Sequence, residues 1–139
     1  MDPISLDRIR HSFAAQSMMT TLGAELLEIT AGLVRIAAPI LPGARQQQGF
    51  GHAGLTFSIG DSAAGYAALT MLPLDMEVVT AEIKINLLAP ARADRLIATG
   101  RVIKPGKRLS IVTAEVHAEE NGVQTLIAIL QGTMVPVPT

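Results

Sequence analysis

The chain has 139 residues, 49% of them apolar and 17% charged, with a formal net charge of −1; that size supports one core, so it reads as a single domain over 1–139. The near balance of charge offers no field for a nucleic-acid polyanion or an acidic membrane, which leaves small molecules and further copies of the chain as the expected partners. There is no cysteine, which excludes a disulfide framework and thiolate chemistry.

Residues 1–20 are expected to form an N-terminal helical segment, with Ser5 as its cap and Leu6, Ile9 and Phe13 on one face. Asp7, Arg8, Arg10 and His11 interrupt its apolar residues, so neither a secretory signal nor a membrane span is read there, and a cytoplasmic location is expected. The runs 24–30 and 33–40, separated by Ala31-Gly32, predict a hairpin. A loop over 42–51 follows, with one proline, three glycines and Gln46-Gln47-Gln48.

From 53 to 72 the composition turns to Ala, Gly, Ser and Leu with Asp61 as the one charge, which predicts a helix buried nearly all round. Its small residues would let a partner's backbone approach closely. Val79, Ala81, Ile83, Ile85 and Leu87 then alternate with polar residues, the pattern of a strand with one face in the core. Further strands are expected over 96–104, 109–118 and 123–135, joined at Pro105-Gly106-Lys107 and Asn121-Gly122. The sum is an α+β chain: a hairpin, one buried helix and a four-strand antiparallel meander wrapped around it. Positive mean hydropathy implies more apolar surface than one such domain buries, and hence a homo-oligomer.

Chemistry concentrates between Gln46 and Asp61. Gly49 and Gly51 loosen the loop before the helix, and His52-Ala53-Gly54 places unpaired N–H groups at its first turn, where the dipole favours negative charge. This suits an oxyanion hole. Asp61 lies eight residues beyond Ala53, roughly 12 Å along a helix. The two therefore cannot serve one carbonyl within one chain; an antiparallel second copy would have to bring its Asp61 to this helix start.

This segment resembles the hotdog-fold acyl-CoA thioesterases of the PaaI-like (phenylacetate-pathway) group. In that group an Asn or Gln is followed by Gly after three residues, by His-Gly-Gly after three more, and by an acidic residue nine past the His. Gln46, Gly49, His52 and Asp61 keep those intervals, and the likeness runs from about Leu22 to Met134, including Asp61-Ser62-Ala63-Ala64-Gly65-Tyr66-Ala67-Ala68 and Asn86-Leu87-Leu88-Ala89-Pro90-Ala91. Ala53 departs from the pattern by replacing the first glycine after the histidine, and at the Asn-or-Gln position Gln46 is one methylene longer than the Asn.

The resemblance implies a hotdog fold, a curved antiparallel sheet around one long central helix with its core over 21–135. It implies a hydrolase with no cofactor, coenzyme A being part of the substrate, and a dimeric catalytic unit within a homotetramer. Asp61 would be nucleophile or general base, Gln46 would place water or substrate, His52 would hold the helix start and polarise the thioester, the Ala53 N–H would take the oxyanion, and Thr80 would orient the water. Gly49, Gly54 and Asn86 would line the substrate, and Arg92, Lys104, Lys107 and Arg108 would meet the phosphates of coenzyme A.

Each residue also has a plainer reading. Asp61 could cap a helix beginning at Ser62, His52 could be a structural cap, Gln46 could belong to a solvated loop, and the basic residues could be ordinary turn charges. His11 and His117 have no metal-ligand spacing, so no metal is expected. Nucleotide-binding glycine motifs and a Gly-x-Ser-x-Gly elbow are missing. An enoyl-thioester hydratase of this fold would carry a histidine five residues past the acid, where this chain has Tyr66. A non-catalytic acyl-CoA binding module is the remaining alternative.

Overall fold

The computed structural model describes all 139 residues. Its first helix, α1 (Pro3–Ala15), is capped by Asp2 and not by Ser5: the Asp2 carboxylate accepts the Ser5 N–H at 2.9 Å and the Ser5 hydroxyl at 2.8 Å. Pro3 explains the shift, since its preset φ suits the first helical position and its missing N–H would be unpaired there anyway. A second helix, α2 (Ser17–Thr21), meets α1 at Gln16 and is too short to display a period in the sequence.

Strands β1 (Glu25–Thr30) and β2 (Leu33–Pro39) form the expected hairpin, turned by Gly32 at φ +76°. A one-turn 3-10 helix (Pro42–Ala44) opens the next loop, and Gly51 bridges to both Arg45 and Ala91. The central helix, α3 (Ala53–Leu69), stops short of residue 72 because the Thr70 hydroxyl folds back onto the Ala67 carbonyl at 2.6 Å and accepts the Gly32 N–H at 2.8 Å.

Strands β3 (Met76–Leu87), β4 (Arg95–Lys104), β5 (Ser110–Glu120) and β6 (Val123–Pro138) complete one antiparallel sheet in the order β1-β2-β4-β5-β6-β3. The expected four-strand meander is therefore corrected to three strands, β4 to β6. β3 pairs with β6 at the far edge, and β4 pairs with β2. The reason is α3 itself, whose roughly 25 Å length carries the chain across the sheet from β2 before β3 begins.

Ile59 and Leu69 of α3 are fully buried against Ile36, Leu96, Val116 and Met134, each aliphatic burial contributing about 1.5–3 kcal/mol. Ala63, Ala64 and Ala67 face the sheet, not a partner as the composition suggested. A Cβ on Gly100 would collide with the Ala63 backbone, and one on Gly60 would lie 2.9 Å from Leu130 Cδ1. These small residues let helix and sheet close on each other. The side of α3 left open carries Gly54, Phe57, Ser58 and Asp61, at helical spacing, so burial is not complete all round.

Candidate active site

Asp61 lies midway along α3 and is half-buried; the Thr80 hydroxyl donates to its Oδ1 at 2.7 Å. A β-bulge makes this bond. Pairing of β3 with β6 shifts register between Thr80 and Glu82, and an extra residue in one strand reverses which face its neighbours occupy. Thr80 consequently faces α3 and lies 3.3 Å from Met134 Sδ, although Ile83 and Ile85 also face inward. The simple alternation expected for 79–87 thus holds only at Ile83 and Ile85: Val78 packs against the core in place of Val79, while Val79 is 49% and Leu87 54% exposed.

The second group of residues surrounds the start of α3. His52 is its N-cap, and His52 Nδ1 accepts the Gly54 N–H at 2.8 Å. That bond occupies one of the first-turn donors and leaves the Ala53 N–H, one position earlier, without an acceptor in the chain. Upstream, the Gln46 side-chain oxygen accepts the Gln48 and Phe50 N–H groups at 2.5 and 3.3 Å, so it shapes the loop. Gly49, at φ +89°, turns that loop back, and its carbonyl accepts from Arg45 Nη1 at 2.7 Å.

Gln46, His52 and Ala53 share a surface recess of about 370 Å³ with Leu87. Asp61 and Thr80 line a separate one of about 180 Å³, and the two recesses have no residue in common. Within one chain the structure therefore gathers two partial groups. Arg92 stands at the His52 end: it lines a further recess of about 510 Å³ in which Phe50, Ala89 and Pro90 are shared with the His52 recess. Lys107 is at the opposite end of α3, beside Met71 and Pro73, on the β4–β5 connection that also carries Arg108, and Lys104 is the last residue of β4 just before it. Asn86 lines a groove with Lys84 and Gln131, away from both groups. No cluster of three or more His, Cys, Asp or Glu is assembled, and no helix is long and apolar enough to cross a membrane.

Two further residues beside Asp61, Ser12 and Gln16, escaped the sequence reading; both bond to side chains of α3. Gln16 Nε2 donates to the Tyr66 hydroxyl at 3.0 Å while Gln16 Oε1 accepts the Ser62 hydroxyl at 3.1 Å, and Ser12 Oγ lies 3.1 Å from the Tyr66 oxygen. Ser12 and Gln16 are one helical turn apart, as are Ser62 and Tyr66, and that matched spacing was the available signal.

A helix lying across a six-stranded antiparallel sheet, with a carboxylate at mid-helix and a free N–H at its start, defines a hotdog-fold protein. The Thioesterase superfamily model matches residues 48–125, and the chain belongs to that family. A thioesterase family protein from Silicibacter pomeroyi superposes with a TM-score of 0.94 at 36% identity, covering 97% of this chain and 99% of that one. The Escherichia coli PaaI protein of the phenylacetic acid degradation operon shares the fold, with a TM-score of 0.83 at 19% identity over 96% of this chain and 93% of that one. A Deinococcus radiodurans protein that carries a provisional esterase name is 30% identical over 121 residues, covering 86% of this chain and 79% of that protein. Thioester hydrolysis is the activity that goes with this membership.

Proposed function

We propose that the chain hydrolyses acyl-CoA thioesters to the free acid and coenzyme A, with Asp61 as general base and each site shared between two copies. The observation that carries this reading is the separation of a Thr80-anchored Asp61 from the unpaired Ala53 N–H. A second copy supplies the missing half. β3 is an unpaired sheet edge beside Asp61, and its exposed Val79 and Leu87 favour a partner strand there. A two-fold axis crossing β3 between Thr80 and Leu87 would set Asp61 of one copy against the Ala53 turn of the other.

In the proposed step, a water gives one proton to the free oxygen of the Asp61 carboxylate while its own oxygen bonds to the thioester carbon. Thr80, whose hydroxyl proton goes to Asp61 Oδ1, has lone pairs to accept the water's other hydrogen. The Ala53 N–H of the partner copy holds the negative oxygen of the tetrahedral intermediate, aided by the α3 dipole. Collapse breaks the C–S bond, and the departing thiolate takes the proton back from Asp61. His52 positions the turn through Gly54 and Gln46 through the preceding loop; Arg92 is the cation best placed for a coenzyme A phosphate.

Replacing Asp61 by Asn removes the base and keeps the side chain's size. The reading predicts loss of thiol release from acyl-CoA substrates with the oligomer retained on gel filtration. Turnover by Asp61→Asn close to that of the unaltered protein refutes it.

A further inference from the structure

The recess beside Asp61 is walled by α1 and the α1–α2 junction, a part of the chain the proposed hydrolysis does not use. At about 180 Å³ it is well below the roughly 300–1,000 Å³ of pockets for drug-sized ligands, so it fits only a compact group. Its wall is unusually polar for a site between a helix and a core: Ser12, Gln16, Ser62 and Tyr66 join Thr80 there. The segment is held in place at two points. Gln16 bridges Ser62 and Tyr66 at one, and at the other Arg8 donates to the carbonyls of Leu72, Pro73 and Met76. Ile9 is fully buried and the Phe13 ring lies 6.1 Å from that of Tyr66, so the wall is packed into place.

The hydrogen-bond inventory of this wall leaves donors over. Gln16 has two amide hydrogens and spends one on Tyr66. If Tyr66 uses its single proton toward Ser12, the Ser12 hydroxyl keeps its own. Ser12 and Gln16 both line the recess, where these spare hydrogens can meet a group that enters it. No Lys, Arg or His lines the recess, and Asp61 supplies its one formal charge.

We infer that Ser12 and Gln16 are specificity-determining residues, selecting compact, neutral acyl groups that carry an oxygen acceptor toward their far end. The inference rests on the acyl-CoA hydrolase reading. A plain alkyl chain would leave the wall's donors unpaired on displacing water, and a second carboxylate on the acyl group would face Asp61 with no cation to offset it. Longer chains would have to displace α1.

The test compares kcat/KM for hexanoyl-CoA, 5-oxohexanoyl-CoA, adipoyl-CoA and decanoyl-CoA, using the full chain, Ser12→Ala and Gln16→Leu. The unaltered protein should favour 5-oxohexanoyl over hexanoyl by about tenfold, the worth of one to two ordinary hydrogen bonds, and should disfavour adipoyl and decanoyl. Each substitution should pull the oxo-to-hexanoyl ratio toward one; losses common to both substrates cancel in that ratio, so partial destabilisation does not mimic the effect. Ser12→Ala is the milder of the two and keeps the test open if Gln16→Leu loosens α1. Asp61-dependent hydrolysis without the preference, or with a ratio that neither substitution changes, overturns this inference and leaves the hydrolase reading standing. Absence of hydrolysis of every thioester overturns both.

Discussion

Thr80 reaches Asp61 only because β3 is bulged between Thr80 and Glu82, which turns the Thr80 hydroxyl to within 2.7 Å of the carboxylate. A hydrogen bond to a charged group contributes about 1.5–3 kcal/mol, or roughly 10- to 100-fold in rate if it is needed in the transition state. Thr80→Val should therefore lower kcat by about that factor with little change in KM, and Thr80→Ser should restore most of it. A Thr80→Val enzyme with unchanged kcat would remove Thr80 from the account.

Nucleophilic attack by Asp61 leaves a different isotopic trace from general-base catalysis when the resulting anhydride is opened by water at the Asp61 carbonyl. A single turnover in H2¹⁸O, with enzyme in excess, should place the label in the released acid and none in the Asp61 side chain, read by mass spectrometry of product and peptide. Labelled Asp61 with unlabelled acid would mean that Asp61 forms an acyl anhydride.

Ala53 occupies the first helical position after an extended His52 at φ −65° and ψ 145°, the backbone that a following proline requires. Ala53→Pro thus deletes the proposed oxyanion donor while leaving the helix start intact. The expected result is a fall in kcat of about two to three orders of magnitude with a normal melting temperature, while Ala53→Gly stays near the unaltered rate. An active Ala53→Pro protein would show that another group holds the oxygen.

Much of this was legible in the residues themselves. The α3 start, the hairpin at Gly32, the turn at Asn121-Gly122 (φ 52° and 78°) and the intervals from Gln46 to Asp61 are local signals, each set by neighbours in the chain. The position of β3 was hidden because pairing with β6 depends on where α3 delivers the chain. The bulge at Thr80 was hidden because Val79, Ala81 and Ile83 alternate as an unbroken strand would. The Ser12–Gln16 wall was hidden because its partners on α3 are 46 and 54 residues away in the chain.

Asp2 ties the start of α1 to the fold, and its hydrogen bonds from the Ser5 backbone and side chain hold its carboxyl below the ordinary carboxylate pKa. A group whose pKa is lowered by folding stabilises the fold above its unfolded-state pKa and loses that contribution as pH falls through the folded value. Asp2→Ala should melt slightly lower than the unaltered protein at neutral pH, and the gap should close as the solution is acidified below the carboxylate range. A gap that persists there would assign the loss to something other than the ionised cap.

The most direct measurement mixes two inactive chains. Asp61→Asn keeps the Ala53 turn, Ala53→Pro keeps the carboxylate, and co-expression with different tags lets the mixed oligomer be purified. Because each proposed site takes Asp61 from one copy and Ala53 from the other, a mixed dimer regains one good site of two. Random pairing, giving half mixed dimers, should recover about a quarter of the unaltered activity from two chains that are each inactive alone. Mixed oligomers that form in full but stay as inactive as either parent would contradict the shared site.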